Sequence, residues 1–555
     1  LVLYALYRRA LPQPLAGIPY NREAAASILG DLPTLWKLQR SRDLRALFSD
    51  LTTRRHNSPI VQIFGLGFRG ASRPTLIVSD FATAQEILLR RGRDFDRPES
   101  QVEALRGVLP HHHIAMQTSD PQFRKNRELV KDLMTPAFLH TVNVPEIWRN
   151  TVLFVHLWRA KARIAGTEGR AFEAAEDVSR MTFDIIKNVA IGRDENTMIG
   201  FNGSAVDNDN DSDDDDDDDD KNKAYVFPAP PHDETLEAQT RMNEAITPGI
   251  PVPPRWYHAV NNCTRRMREA YASKERVLKR QVSLAVRRME AGEPLESALD
   301  YMIRREMGAA KKADRDPVFD SVYMYDELYG YLGAGHDTTA TTFQWGLKHL
   351  SQHQHAQQKA REDLCSVYRE AYAQKRQPAA AEIVKRTSPW IEAIIEEILR
   401  LSGPVSASAR KTTVDTTILG HAVPKGTTVL MAMQGPGINA PSHQQGGDRS
   451  DKKAHSFTKR TTWDDLEPEA FVPERWLARD DEGHLVYDAQ AGPMLSFGLG
   501  IRGCFGKRLA YLTLRVLFTL LLWNFELQSV PEELDSWKAI QILTRKPVQC
   551  YVRLR

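Results

Sequence analysis

Apolar residues recur at the 3.6-residue spacing of an amphipathic helix along most of the chain from Phe81 to about Arg400. FATAQEILLRR, PQFRKNRELVKDLM, EDVSRMTFDIIKNVAIG, the charged stretch around RRMREAYASKERVLKRQVSLAVRRMEAG and the long segment from Ser321 to Gln358 all carry it. Arg22 to Leu47 has the same spacing, and KRLAYLTLRVLFTLLLWNFEL predicts a last apolar helix from Lys507. Two patches alternate instead. SPIVQIFGLGFRGASRPTLIVSD reads as two strands joined by a glycine turn, and ARKTTVDTTILGHAVPKGTTVLMAM as β-branched hairpins broken at Gly420 and Pro424. The pattern predicts a mainly α protein with a small β region and no internal repeat. Residues 434–463, rich in Gln, Gly, Ser, Asp and Lys, are expected to form an irregular surface loop.

Gly65, Gly67 and Gly70 satisfy G-x-G-x-x-G after the strand-like IVQIF, the start of a dinucleotide-binding loop. Such a loop must open a helix, whereas ASRPTLIV, with Pro74, reads as a returning strand. The hairpin reading is therefore preferred.

Charge changes the picture locally. The chain of 555 residues carries 74 Lys and Arg against 72 Asp and Glu, a net of +2. Eleven aspartates lie between Asp207 and Asp220; with them set aside the remainder is +13. Such a run repels itself and stays solvated, so about 203–223 is expected to be a disordered insertion. It lacks the central glycine and terminal glutamate of an EF-hand, which argues against a calcium loop. The basic remainder favours an anionic membrane surface or an acidic protein partner, and without an aromatic-interleaved basic stripe it gives no sign of nucleic-acid binding. Four widely spaced cysteines make no disulfide framework and point to a reducing compartment, with Cys263, Cys365 and Cys550 expected to be small buried hydrophobes. The opening LVLYALYRRALPQP runs apolar, then basic, then proline-rich, the edge a cut-off membrane anchor would leave over residues 1–20.

The chemistry concentrates in FGLGIRGCFGKRLA, Phe497 to Ala510. Cys504 sits just before a helix, whose positive end stabilises a thiolate, and Arg502 lies two residues away. Glycines on either side permit tight turns and the approach of a flat ligand. The P450s are the known case of haem iron held by a cysteine thiolate, which needs these features together. Phe497, Gly500, Arg502, Cys504 and Gly506 match F-x-x-G-x-R-x-C-x-G without a gap, and on these residues the chain resembles the cytochrome P450 family. A glycine-rich turn around a structural cysteine is the competing reading.

Three further motifs bear on the resemblance. In EAIIEEILRL, Glu397 and Arg400 lie one helical turn apart, a spacing usually found on a solvated face. In the family this pair is internal and is joined by a later arginine, here Arg475 of FVPERW, so the resemblance implies a buried structural lock. YLGAGHDTTATTFQW places a glycine and several threonines mid-helix, poor choices by propensity. It is similar to the family's A-G-x-D-T-T at Ala334, Gly335, Asp337, Thr338 and Thr339. The resemblance implies that Gly335 brings the backbone close to bound dioxygen, and that Asp337 and Thr338 are the acid and alcohol delivering protons for O–O cleavage. Arg127, Arg410 and Arg502 match arginines that bind the haem carboxylates. The tryptophan of the family's W-x-x-x-R is Phe123 here, and Thr513 stands where many members carry glutamate.

The resemblance implies a P450 fold with a long central helix over haem b, iron protoporphyrin IX, in one haem domain over 21–555. It implies a monooxygenase that inserts one atom of O2 into an organic, lipophilic substrate. No flavin or iron–sulfur signature is present, so electrons come from a separate protein, expected to be an NADPH-cytochrome P450 reductase, with the chain at the endoplasmic reticulum membrane facing the cytosol. A P450-fold isomerase or dehydratase acting on peroxides, and a non-catalytic haem-binding protein, stand as alternatives. His111, His112 and His113 invite a metal reading. Adjacent loop histidines rarely point at one site, so they are expected to be surface or loop residues.

Overall fold

The computed structural model describes residues 2–41, 50–65, 73–166, 169–193, 223–247, 252–440 and 467–555. The aspartate run, Gly67 and Gly70, and residues 441–463 of the expected loop lie outside them.

A 31-residue helix, Val322–Gln352, crosses the centre of the molecule and is buried along most of its length. It packs on Ala175–Ile191, Pro389–Ser402 and Lys507–Asn524, whose apolar faces join one large core that includes Phe154, Trp158, Phe343 and Phe518. The expected helices form as Phe81–Leu89, Pro121–Val130, Ala175–Ile191 and Arg265–Glu290. The stretch from Arg22 does not run through. It divides into Arg22–Ala25 and Leu32–Ser41, because Asp31 turns to pair with Phe64: its carboxylate accepts from Phe64 N and its own N–H donates to Phe64 O, both at 2.8 Å. The long helix likewise stops at Gln352, and His353 separates it from Gln354–Val367.

Both strand patches fold as hairpins and meet in one sheet. Ile60–Ile63 pairs antiparallel with Thr75–Val78, as the rejection of a dinucleotide loop requires. Thr75–Val78 then lies parallel to Thr428–Ala432, which pairs antiparallel with Ala407–Thr412, and the short strand Phe95–Asp96 closes the edge. A separate hairpin near the C-terminus, Ala539–Gln541 with Arg545–Pro547, packs against the long helix.

Residues 434–440 are not a surface loop. Gln434 and Asn439 are buried, the Gln434 amide donating to Gly403 O at 2.6 Å and that of Asn439 to the carbonyls of Arg400 and Leu401. Cys550 is buried as expected, whereas Cys263 is exposed on a helix end. Val2–Ala10 is a nine-residue helix with Tyr4 and Leu6 outward. No helix among the described residues is long and apolar enough to cross a membrane.

Candidate haem site

The cysteine loop is shaped by hydrogen bonds across it. Cys504 N donates to Phe497 O at 2.7 Å, and Gly503 N to Gly500 O at 2.9 Å. Gly500 has φ +70°, and a Cβ there would stand 2.1 Å from the carbonyl oxygen of Leu88, so both its conformation and its close neighbour demand glycine. A Cβ at Gly506, by contrast, would project into open space beside Cys504.

Cys504 is exposed, yet desolvation by the surrounding protein pushes its thiol above the ordinary value. The N–H of Gly506 and the charges of Lys507 and Arg127 act the other way and are outweighed. Burial therefore opposes the helix start at this cysteine; coordination to a metal deprotonates a thiol outright.

Next to the loop lies a concentration of cations. Arg97, Arg410 and Arg502 are each held below the usual arginine range, Arg97 at about 9 and the other two at about 10, first by burial. Arg97 is lowered further by Arg502 and Arg410, and Arg502 by Arg410 and Arg127; the carboxylate offsetting all three is Asp96. Arg97 is 8% exposed, and its Nε finds no partner among the described residues. Two buried guanidiniums, Arg97 and Arg410, and the half-buried Arg502 against one carboxylate form a site for a dianion. Arg97 is not among the arginines that the motifs single out; its signal was FDRPE, an arginine between the edge strand Phe95–Asp96 and a proline-started helix.

Arg502 is oriented from below. Its Nε donates to Thr118 Oγ1 at 2.8 Å, its Nη2 donates to Met116 O, and its guanidinium lies 4.2 Å from the ring centroid of Phe123. Where the family carries tryptophan, this chain thus uses a buried phenyl face to support an arginine. Arg127 stacks over Phe505 at 4.6 Å and feels both Cys504 and Glu327. Thr513 is buried and bonds back to Leu509 O at 2.9 Å.

On the long helix, Ala334 is exposed and Gly335 and Thr338 are partly so, while Leu332, Gly333, His336 and Asp337 around them are buried. Thr338 Oγ1 donates to Ala334 O at 2.7 Å. Gly335 has a use beyond the expected one: a Cβ there would meet Ile186 Cδ1 at 2.6 Å, so it lets the long helix approach Ala175–Ile191. Asp337 turns elsewhere, accepting from Thr544 Oγ1 at 2.7 Å and pairing with Lys546.

Glu397, Arg400 and Arg475 do come together, all essentially unexposed. Arg400 grips Glu397 with two 2.7 Å bonds, and Arg475 Nε lies 3.4 Å from Glu397 Oε1. Trp476 Nε1 and Val472 N also donate to Glu397, each at 2.9 Å, and no motif announces either.

The histidines depart from expectation. His112 is buried and His113 nearly so, their rings stacked 4.3 Å apart, and both turn toward the buried Glu327 of the long helix. His113 Nδ1 and its backbone N–H each lie 2.6 Å from Glu327 oxygens, Asn126 Nδ2 donates at 2.7 Å, and His112 Nε2 is 3.5 Å away. Burial holds both imidazoles at about 3, neutral, and the neighbouring arginines Arg127, Arg502 and Arg97 lower His113 further. Glu327, 214 residues along from His113, fastens the loop carrying the histidines to the long helix.

The comparisons agree with this geometry. The family model for "Cytochrome P450" matches residues 235–439 and 459–551. The chain is 34% identical to "Cytochrome P450 monooxygenase TRI13" of Fusarium sporotrichioides, over 100% of this chain and 97% of that protein. It is 35% identical to "Cytochrome P450 monooxygenase xilC" of Penicillium rubens, over 100% and 94%, and 31% identical to "Cytochrome P450 monooxygenase GME11363" of Pestalotiopsis microspora, over 100% and 96%. Full-length similarity to cytochrome P450 monooxygenases, together with an exposed cysteine beside Arg502 and Arg127, marks a haem-thiolate protein. The chain belongs to the cytochrome P450 family.

Proposed function

We propose that this protein is a haem-thiolate monooxygenase in which 21–555 form a single haem domain around haem b. Cys504 would ligate its iron through a thiolate, Arg97, Arg127, Arg410 and Arg502 would pair with its two carboxylates, and Phe497, Gly500 and Gly506 would shape the loop that receives it. Bound haem supplies the reductive activation of O2, one atom entering an organic, lipophilic substrate and the other leaving as water. The protein's own contribution on the far side is the accessible face Ala334, Gly335 and Thr338, with Thr338 placing a hydroxyl and Asp337 providing a proton reservoir one residue away. Glu397, Arg400 and Arg475 keep the segment before the cysteine loop rigid by pairing charges that are costly to leave unpaired.

Electrons come from a separate donor, which we take to be an NADPH-cytochrome P450 reductase at the endoplasmic reticulum membrane, with the catalytic domain facing the cytosol and residues 1–20 belonging to the membrane-attached end. A groove of about 370 Å³ at the start of the cysteine helix, bordered by His140, Lys507, Arg508 and Arg515, suits an acidic donor face. The acid and alcohol at Asp337 and Thr338 favour oxygen activation over a peroxide-rearranging isomerase.

The observation that carries the reading is Cys504, exposed on its hydrogen-bonded loop, beside the surplus of guanidiniums on Arg97, Arg410 and Arg502. The test is the reduced, CO-bound absorption spectrum of the purified protein. A Soret band at the thiolate position that disappears in Cys504→Ala is expected; the same band in the variant would overturn the ligand assignment. Product formation from a hydroperoxide without NADPH and reductase would instead favour the isomerase.

A further inference from the structure

We propose that Glu396, held between Tyr487 and Tyr511 behind the cysteine loop, is a second proton site of this protein: it takes up a proton when bound haem is reduced, and so makes the haem potential depend on pH. The inference rests on the reading of Cys504 as the thiolate ligand.

Glu396 follows Glu392 by one turn on the helix Pro389–Ser402 and precedes the lock residue Glu397, yet it joins a different cluster. Tyr487 of the strand Leu485–Tyr487 and Tyr511 of the cysteine helix both donate their hydroxyls to the same oxygen, Oε1, that of Tyr511 at 2.7 Å. Oε2 is buried and has no hydrogen-bond partner among the described residues. Burial, and then the charge of Glu396, push both phenols far above their ordinary range, so their protons stay on oxygen and remain available to Oε1. Glu396 is 3% exposed, and burial raises its carboxyl above the ordinary value although both hydroxyls and Lys507 pull it down. The other charges around the cluster are already matched or lie further out. Glu392 pairs with Arg515, Glu397 is closed on Arg400 and Arg475, and Asp488 acts on Tyr487. An unpaired carboxylate oxygen out of water is the costly atom of this arrangement, and Oε2 is where a proton relieves it.

Two contacts join this cluster to Cys504. The Tyr511 ring lies 5.0 Å from that of Phe497, and the Phe497 carbonyl accepts from Cys504 N at 2.7 Å. The Lys507 ammonium lies over both rings, 5.7 Å from the Phe497 centroid and 5.6 Å from that of Tyr511, and its charge favours the ionised form of Glu396 and of Cys504 alike. An ionised Glu396 offsets that ammonium, which then stabilises a thiolate less. Once Glu396 is protonated the ammonium acts at full strength. An electron added on the cysteine side therefore draws a proton to Glu396, and by the same coupling a proton on Glu396 favours the electron. One electron from the separate donor enters the haem, and one proton from water enters at Glu396 Oε2, past the half-buried tyrosine hydroxyls. Neither tyrosine changes its protonation. Reoxidation returns the proton to water, so the charge behind the loop is conserved.

The experiment uses haem-loaded wild type, Glu396→Gln and Tyr511→Phe, each checked by its reduced-CO spectrum. The haem potential is read by spectroelectrochemical titration at a series of pH values. The carboxylic acid band is read in reduced-minus-oxidised infrared spectra and assigned by its loss in Glu396→Gln. In wild type the potential is expected to fall as pH rises, and the acid band to gain intensity on reduction. Glu396→Gln keeps an acceptor for the hydroxyls and cannot titrate, so it should lose the band and that part of the slope, staying at the potential of the acid limb. Tyr511→Phe removes a donor to the charged form, so its falling limb should move to higher pH, and this variant carries the test if Glu396→Gln loads no haem. A purely structural role would instead raise or lower the whole curve without moving it along the pH axis. The same slope in Glu396→Gln as in wild type, a limb unmoved in Tyr511→Phe, or no gain of the acid band on reduction would overturn the proposal. A wild-type reduced-CO spectrum without the thiolate band would overturn the haem-thiolate reading and the proposal together; with that band present, the other outcomes overturn the proposal alone.

Discussion

Arg400 holds Glu397 by a two-pronged bond, Nε to Oε2 and Nη2 to Oε1, both 2.7 Å, with neither side chain exposed. The remaining guanidinium donors are used on the carbonyls of Ile438, Pro468 and Ala470, so this one side chain ties the helix Pro389–Ser402 to the segments before and after 441–466. Truncating one member of such a pair strands the other's charge. Arg400→Ala is expected to lower stability by about 3–5 kcal/mol, and Arg400→Lys, which cannot make the fork, to lose most of the same. Denaturant midpoints and haem content per chain check this; a midpoint within error of wild type would show the pair to be dispensable.

For Arg97 the two states of the protein should respond with opposite signs. Without haem, Arg97, Arg410 and Arg502 repel one another, so Arg97→Met is expected to leave the haem-free chain as stable as wild type or more so. With haem it removes a charge-assisted bond, worth about 1.5–3 kcal/mol, and haem should leave the variant at least tenfold faster. Transfer of haem to an acceptor protein measures the rate.

Acid should loosen the clasp on Glu327. His112 and His113 titrate at about 3 in the folded protein, below their ordinary 6.5, so between those values the unfolded chain binds more protons. Their contribution to stability is complete above about pH 6.5 and is lost progressively as pH falls toward 3. Glu327 is shifted the other way, upward by burial, so from its folded value down to the ordinary 4.5 the folded chain binds more protons, and within the histidine window it offsets part of the loss. From pH 7 to pH 5 each histidine is expected to cost about 1–2 kcal/mol. Denaturation followed at both pH values should show the loss in wild type and a smaller one in a His112→Gln/His113→Gln double variant; equal losses would mean that these rings are not what titrates.

At Gly500 the argument is steric. Gly500→Ala places a methyl group against the Leu88 carbonyl at a residue with φ +70°, so the cysteine loop must shift. The variant is expected to purify with little haem and a diminished CO-bound Soret band, whereas Gly420→Ala, with positive φ but open space around it, should keep its haem.

Much of this was legible along the chain because local spacing encodes it. The helical period placed the start of the long helix to within a residue but ran past its end at Gln352, and alternation with turn residues placed both hairpins. The unbroken F-x-x-G-x-R-x-C-x-G marked Cys504, and E-x-x-R with a later P-E-R-W marked the lock. The failures are equally local in origin. The break at Asp31 depends on Phe64, and the burial of Gln434 and Asn439 depends on carbonyls of Gly403, Arg400 and Leu401. No window around any of these residues contains the partner that decides its conformation.

By itself, then, the amino-acid sequence determined most of the secondary structure and the family, because each is written in spacings a helix turn or a tight loop reads directly. Only the tertiary structure decided the charges. That Arg97 joins Arg410 and Arg502, that His112 and His113 are neutral on Glu327, that burial opposes the helix start at Cys504, and that Asp337 is tied to Lys546 all follow from burial and from partners far away along the chain. An ionisable side chain acquires its chemistry from the solvent it loses and the charges it meets, and folding alone sets both.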